Sequence, residues 1–214
     1  CGVGIPASIQ NLLNVTGMTI LNNFTSAYGA DAVAAMGISY KIYMVPMQVS
    51  MGFSQGIMPL VSYNFASGDR KRMKASILFA IKLVVPALAV VTLLYYIGSG
   101  ELISLFMKNE SIIAYGSRFL RGFSLGLAFL SLDFLTVGVF QSLGFGKYAL
   151  LFAVMRKLVL EIPALLILNA IFPLYGLAYA QFTAELILGV CAILMLRYIF
   201  RKYGNNIKTT TDPS

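Results

Sequence analysis

Long apolar stretches separated by short clusters of Gly, Ser, Asp and basic residues run through this sequence from end to end. A helix of roughly 20 apolar residues crosses a hydrocarbon core of about 30 Å, and each stretch reaches that length. Six spans are predicted, at about 5–28, 32–65, 73–97, 112–143, 148–172 and 176–203. The breaks between them carry turn chemistry. Tyr28-Gly29-Ala30-Asp31 closes the first span and offers Asp31 as an N-cap for the second. Ala66-Ser67-Gly68-Asp69, Gly98-Ser99-Gly100, Gly144-Phe145-Gly146 and Pro173 mark the later exits, with 101–110 expected as an interfacial connector. At roughly 34 residues the second span exceeds a bilayer and has to tilt, bend or protrude. Residues 204–214 are polar and expected to form a disordered tail. The fold class that follows is an all-α polytopic membrane protein, with six transmembrane helices forming one unit over residues 1–203.

Composition agrees with this pattern and removes other readings. Of 214 residues, 58% are hydrophobic and 11% charged, against about 45–50% and 25% for a soluble domain. The net charge of +8 would suggest nucleic acid in a soluble chain, but here the lipid surface is the acidic neighbour and no nucleic-acid partner is expected. Two cysteines and no histidine argue against a disulfide framework and exclude a His-ligated metal. The chain begins at Cys1 rather than Met, which reads as a piece of a longer protein. Lys and Arg in short loops set orientation. Arg70, Lys71, Arg72, Lys74, Lys147, Arg201, Lys202 and Lys208 lie on one side, against Lys108, Arg118 and Arg121 on the other. Both ends are therefore expected in the cytoplasm, in a multi-pass plasma-membrane protein.

Polar side chains inside the spans map inward-facing surfaces, because lipid cannot satisfy them. On the first span Asn11, Asn14, Asn22 and Thr25 share a face, and on the second Lys41, Gln48, Gln55 and Ser62 recur every seven residues. The second span also holds five of the ten methionines, as well as Pro46, Gly52, Gly56 and Pro59. The prolines loosen a helix, and Gly-x-x-x-Gly permits close approach. Three carboxylates sit well inside spans: Asp133, Glu161 and Glu185. Glu161 has Lys157 one turn before it as an intrahelical partner. Asp133 has no cation within a turn and reads as functional; Glu185, on one face with Gln181, reads equally as a hydrogen-bonded carboxyl or an ion site. Lys41 is expected to approach the midplane as a counter-ion to Asp133 or Glu185, or to snorkel outward. No phosphate loop, nucleophile elbow or paired metal motif is present, and the chain is not expected to be an enzyme.

The run Gly4-Ile5-Pro6, then Tyr28 to Ile38, then Gly52-Phe53-Ser54-Gln55-Gly56-Ile57-Met58-Pro59 through Asn64 and Gly68 to Arg72, resembles the multidrug and toxic compound extrusion (MATE) transporters. Gly-x-x-Gln-Gly-x-x-Pro-x-x-x-x-Asn before a basic loop is its most specific part. Asp133 to Gly146 looks like that family's tenth helix and Ala184-Glu185 like its twelfth. The resemblance implies the carboxy-terminal six-helix lobe of a twelve-helix, two-lobe carrier. Its implied partners are an amino-terminal lobe, the bilayer and small organic cations. The implied activity is secondary efflux of bulky organic compounds, with a proton or sodium as coupling ion and no cofactor. Asn14 stands where NorM-like members carry a cation-binding Glu, Asp133 where they carry the acidic partner, and Phe129 where they carry a Tyr. The chain is thus closer to the DinF- or MepA-like branch. Asp133, Glu185, Lys41, Gln48, Gln55 and Asn14 are the candidate substrate or cation residues. A lipid-linked precursor flippase of the same superfamily, or a non-transporting scaffold or intramembrane enzyme, are the alternatives.

Overall fold

The computed structural model describes residues 4–204, and every element among them is helical. In chain order they are α1 (Gly4–Ser26), α2 (Ala30–Ala66), α3 (Arg70–Ile97), α4 (Ser99–Ser104), α5 (Glu110–Ser124), α6 (Leu127–Ser142) and α7 (Gly146–Val154). A π-helix (Met155–Glu161), α8 (Ile162–Ile171) and α9 (Gly176–Gly204) complete the chain. The first three predicted spans and the last match α1, α2, α3 and α9 to within a few residues. The expected tail from residue 205 onward lies outside the described residues.

Three local expectations change. Asp31 does not cap α2: Gly29 takes that position at φ 103°, and Asp31 falls within the first turn. Asp69 does cap, its Oδ1 accepting the Arg72 backbone N–H at 2.9 Å. The expected connector after Gly100 contains the short helix α4. Most consequentially, the predicted span 112–143 is two helices, α5 and α6, meeting at a 45° bend. Gly126 sits in the break, and the Ser124 carbonyl freed there accepts the Thr92 hydroxyl of α3 at 3.0 Å. A neighbouring side chain thereby satisfies a backbone group that lipid could not. The span 148–172 is likewise interrupted, by the π-helix, where Ile162 N–H reaches back five residues to the Lys157 carbonyl.

Among the described residues, α3 and Gly176–Arg201 of α9 are each long and apolar enough to cross a membrane, and α5 with α6 makes a third span if the bent pair counts as one. The 37-residue α2 is interrupted by Lys41, Gln48 and Gln55 and does not reach that standard by composition. α6 is the central helix, with every residue from Ser131 to Phe140 buried. Around it α2, α3, α5 and α9 pack with small residues at the closest crossings. A Cβ on Gly122 would stand 2.7 Å from Ala178 Cβ, drawing α5 onto α9, and Gly138 meets Ser54 of α2, whose hydroxyl donates to the Phe134 carbonyl at 2.6 Å.

The apolar interior divides into two main clusters. One gathers Ala35, Tyr43, Ile103, Phe119, Leu127 and Leu177. The other gathers Val61, Met73, Ile77, Val139, Leu188 and Leu196, with α2, α6 and α9 contributing to both clusters. Along α9 the first cluster runs to Ala180 and the second begins at Leu188. The polar residues Gln181 and Glu185 fill the interval.

Candidate functional site

The interval between the two apolar clusters holds a layer of buried charge. Asp133 comes from α6, Glu185 from α9, and Arg156 from the π-helix. The Arg156 guanidinium Nη1 donates to Asp133 Oδ2 at 3.0 Å and lies 3.8 Å from Glu185 Oε1. All three are sequestered, with 1%, 1% and 3% of the residue surface exposed for Asp133, Glu185 and Arg156. The guanidinium also stacks over the Phe134 ring, 5.1 Å from its centroid. One residue further along the π-helix, Lys157 Nζ donates to Glu161 Oε1 at 2.6 Å, and this pair is buried as well. Gln181, one turn before Glu185, donates from Nε2 to the hydroxyl of fully buried Tyr43 at 2.8 Å and ties α9 to α2 in the same layer.

Glycines let the neighbouring backbone reach these charges. A Cβ on Gly17 of α1 would lie 3.1 Å from Lys157 Nζ, and one on Gly126, at the α5–α6 bend, 3.5 Å from Glu185 Cγ. Both helix irregularities thus converge on one layer: the bend abuts Glu185, and the π-helix supplies Arg156, Lys157 and Glu161. Interrupted helices at mid-membrane are where carriers build ion sites. Three carboxyls against two fixed cations leave a net charge of −1 when all five are ionised. Among the described residues Asp133 Oδ1, Glu161 Oε2 and Glu185 Oε2 are buried without a hydrogen-bond partner. The layer therefore has oxygen atoms in hand for a proton or a small cation, and no grouping of the kind that holds a metal through His, Cys or several clustered carboxylates is found among the described residues.

The structure brings together only part of the expected site. Asp133 and Glu185 meet through Arg156. Lys41 does not join them: it is exposed on α2, and the counter-ion expected of it is Arg156. Gln48 and Gln55 are also exposed, on the same side of α2 as Lys41 and Ser62. These four form a polar stripe on the outside of the bundle, separate from the buried layer. The side chain of Asn14 lies outside the described residues. The expectation of an intrahelical Lys157–Glu161 pair is met.

Interrupted helical spans around a buried charge layer recur in membrane carriers. Residues 6–167 match the MatE family model, and the chain belongs to that family. The multidrug export protein MepA of Staphylococcus saprophyticus is 33% identical over 200 residues, covering 93% of this chain and 44% of that protein. MepA of Staphylococcus haemolyticus is 32% identical over 199 residues, with 92% and 43% covered. Among solved structures, the Vibrio cholerae MATE transporter VcmN in its bent form superposes with a TM-score of 0.87 at 18% identity, covering 95% of this chain and 46% of VcmN. A MOP superfamily transporter from Pyrococcus furiosus gives 0.88 at 19% identity, with 96% and 47% covered. This chain spans about half the length of the relatives it matches, consistent with one lobe.

Proposed function

We propose that this chain is the carboxy-terminal lobe of a multidrug efflux antiporter in the plasma membrane, with both ends of the segment in the cytoplasm. The whole carrier exports bulky, often cationic organic compounds in exchange for protons or sodium. The observation that supports this reading best is the buried layer of Asp133, Arg156 and Glu185 with its net negative surplus. An uncompensated charge at membrane depth costs several kcal/mol, roughly the range measured for inserting one Asp or Arg in a span. A bound proton or sodium ion removes that cost. The guanidinium keeps its charge at every physiological pH, so the exchangeable positive charge resides at the carboxyls. A layer that trades its neutralising ion between the two sides couples an ion gradient to the rocking of the lobes. The polar stripe of Lys41, Gln48, Gln55 and Ser62 faces the cleft toward the amino-terminal lobe, where polar side chains meet water and substrate rather than lipid.

Ethidium accumulation in cells expressing the complete transporter tests the proposal. With expression matched, Asp133→Asn and Glu185→Gln are each expected to slow dye extrusion by roughly 10-fold or more, a loss of about 1.4 kcal/mol in the rate-limiting step. If both extrude dye at the wild-type rate, coupling does not run through this layer. Repeating the assay with a protonophore, and in sodium-free buffer, identifies the coupling ion.

A further inference from the structure

Away from the charge layer, the second half of α2 and the first half of α3 diverge to leave an open groove of about 740 Å³. Small residues make it. On the α2 wall Gly52 and Gly56 leave open space, with nothing within 4 Å of where a Cβ would stand, and on the α3 wall Ala75, Ser76 and Ala80 face them. Phe53 and Phe79 form exposed aromatic rims. The lining is hydrocarbon nearly throughout. Its one charged member is Arg72, at the end of the groove where α3 begins.

Length and charge together identify the occupant. On α3 the lining runs from Arg72 to Leu83 and on α2 from Val49 to Leu60; at 1.5 Å per residue each wall is about 16 Å long. That is roughly half the ~30 Å hydrocarbon core, so the groove is one leaflet deep. A transmembrane helix of another protein would need a groove through both leaflets. Arg72 stands at headgroup level among Arg70, Lys71 and Lys74, but its neighbours are partly committed. Arg70 stacks on the Phe65 ring at 4.1 Å, and Lys74 reaches over Phe200 at 5.4 Å. Among the described residues no ion pair engages Arg72. A guanidinium offers paired N–H donors that match a phosphate. From this geometry we infer that the α2–α3 groove is a binding site for an anionic phospholipid of the leaflet on the basic side, its acyl chain lying along Gly52 and Gly56 and its phosphate held by Arg72. The occupant is a component of the membrane and distinct from any exported compound.

Native mass spectrometry of the complete transporter, released from membranes containing equal phosphatidylglycerol and phosphatidylethanolamine, reads this directly. Wild type is expected to retain the anionic lipid with at least ~5-fold preference, the effect of about one juxtamembrane cation. Arg72→Gln is expected to abolish the preference, and Gly56→Phe, which fills the groove, to lower retention of both lipids. Ala75→Phe on the facing wall serves the same purpose if Gly56→Phe does not fold. Equal retention of the two lipids by wild type, or wild-type retention by a folded groove-filling variant, overturns the inference. So does efficient capture of the amino-terminal half, in membranes, by a benzophenone photo-crosslinker attached through a thioether to Gly56→Cys, which would put protein in the groove. Lipid counts do not depend on efflux, so a failed transport reading and a failed lipid site are scored separately.

Discussion

Arg156→Met is the most demanding test of the charge layer. It keeps a long flexible stem and removes the guanidinium that sits 3.0 Å from Asp133 Oδ2 and 3.8 Å from Glu185 Oε1. At an effective dielectric constant of about 20, those attractions amount to roughly 4–6 kcal/mol each before desolvation is returned. Most of that gross attraction offsets the cost of burying the ions, and deleting one partner of a buried pair costs about 3–5 kcal/mol net. The charge of the layer falls from −1 to −2, so the carboxylates left behind repel each other. In a complete transporter about twice the length of this chain, 1 kcal/mol corresponds to about 1–2 °C in melting temperature, which predicts a drop of roughly 3–10 °C. The assay is the apparent melting temperature of the purified complete transporter in detergent. Asp133→Asn combined with Arg156→Met returns the layer to −1 and is expected to recover a large part of the loss. An Arg156→Met protein melting within about 2 °C of wild type, or a double variant no more stable than the single, would refute the argument, because neighbours sharing one ion pair must show a coupling energy.

Other contacts give sharper local expectations. Gly122→Val forces α5 off Ala178, where even a Cβ stands at 2.7 Å, and should cost about 1–3 kcal/mol, read as lost thermal stability with α6–α9 contacts otherwise intact. Tyr43→Phe strands the Gln181 amide in the buried layer and should destabilise by about 1–3 kcal/mol, whereas Gln181→Leu with Tyr43→Phe should be milder than the sum of the two. Gln48→Ala and Gln55→Ala, exposed on α2, should change stability by no more than about 0.5 kcal/mol yet shift the dye-concentration dependence of ethidium efflux. An unchanged dependence would place the stripe away from the substrate path.

How much of this the sequence discloses depends on the range of the interaction involved. The limits of α1, α2, α3 and α9 are legible because Gly, Asp and Pro punctuate apolar runs at local cost, and Asp69 caps α3 through its own third neighbour. The bend at Gly126 is not, because Leu125-Gly126 is compatible with an unbroken helix until Thr92 of α3 and Glu185 of α9 are in place beside it. The π-helix is silent for the same reason. Arg156 is the instructive omission. It stands inside a span as plainly as Lys41 does, and two unpaired acids elsewhere in the chain require a cation at their depth. Spacing along one helix finds Lys157 for Glu161 but cannot find Arg156 for Asp133, which is 23 positions away. The seven-residue spacing makes Lys41, Gln48 and Gln55 legible as one face of α2, but the face reads from the sequence as inward and lies on the outside of this lobe, and its separation from Asp133 is a property of the three-dimensional packing.

In the proposed two-lobe carrier, the exposed stripe on α2 also bears on how the molecule would come together. Gln48 and Gln55 lie in the middle of a 37-residue helix, at a level where hydrocarbon would surround them if this lobe stood alone in a bilayer. Were the two lobes produced as separate polypeptides, association would cover these amides, so the yield of intact lobe would rise with the concentration of its mate, as mass action requires of any state stabilised by a partner. In the proposed two-lobe carrier, a single polypeptide would replace that bimolecular search with a high effective concentration set by the connecting segment, and this lobe could then keep a polar wall that it would not tolerate alone.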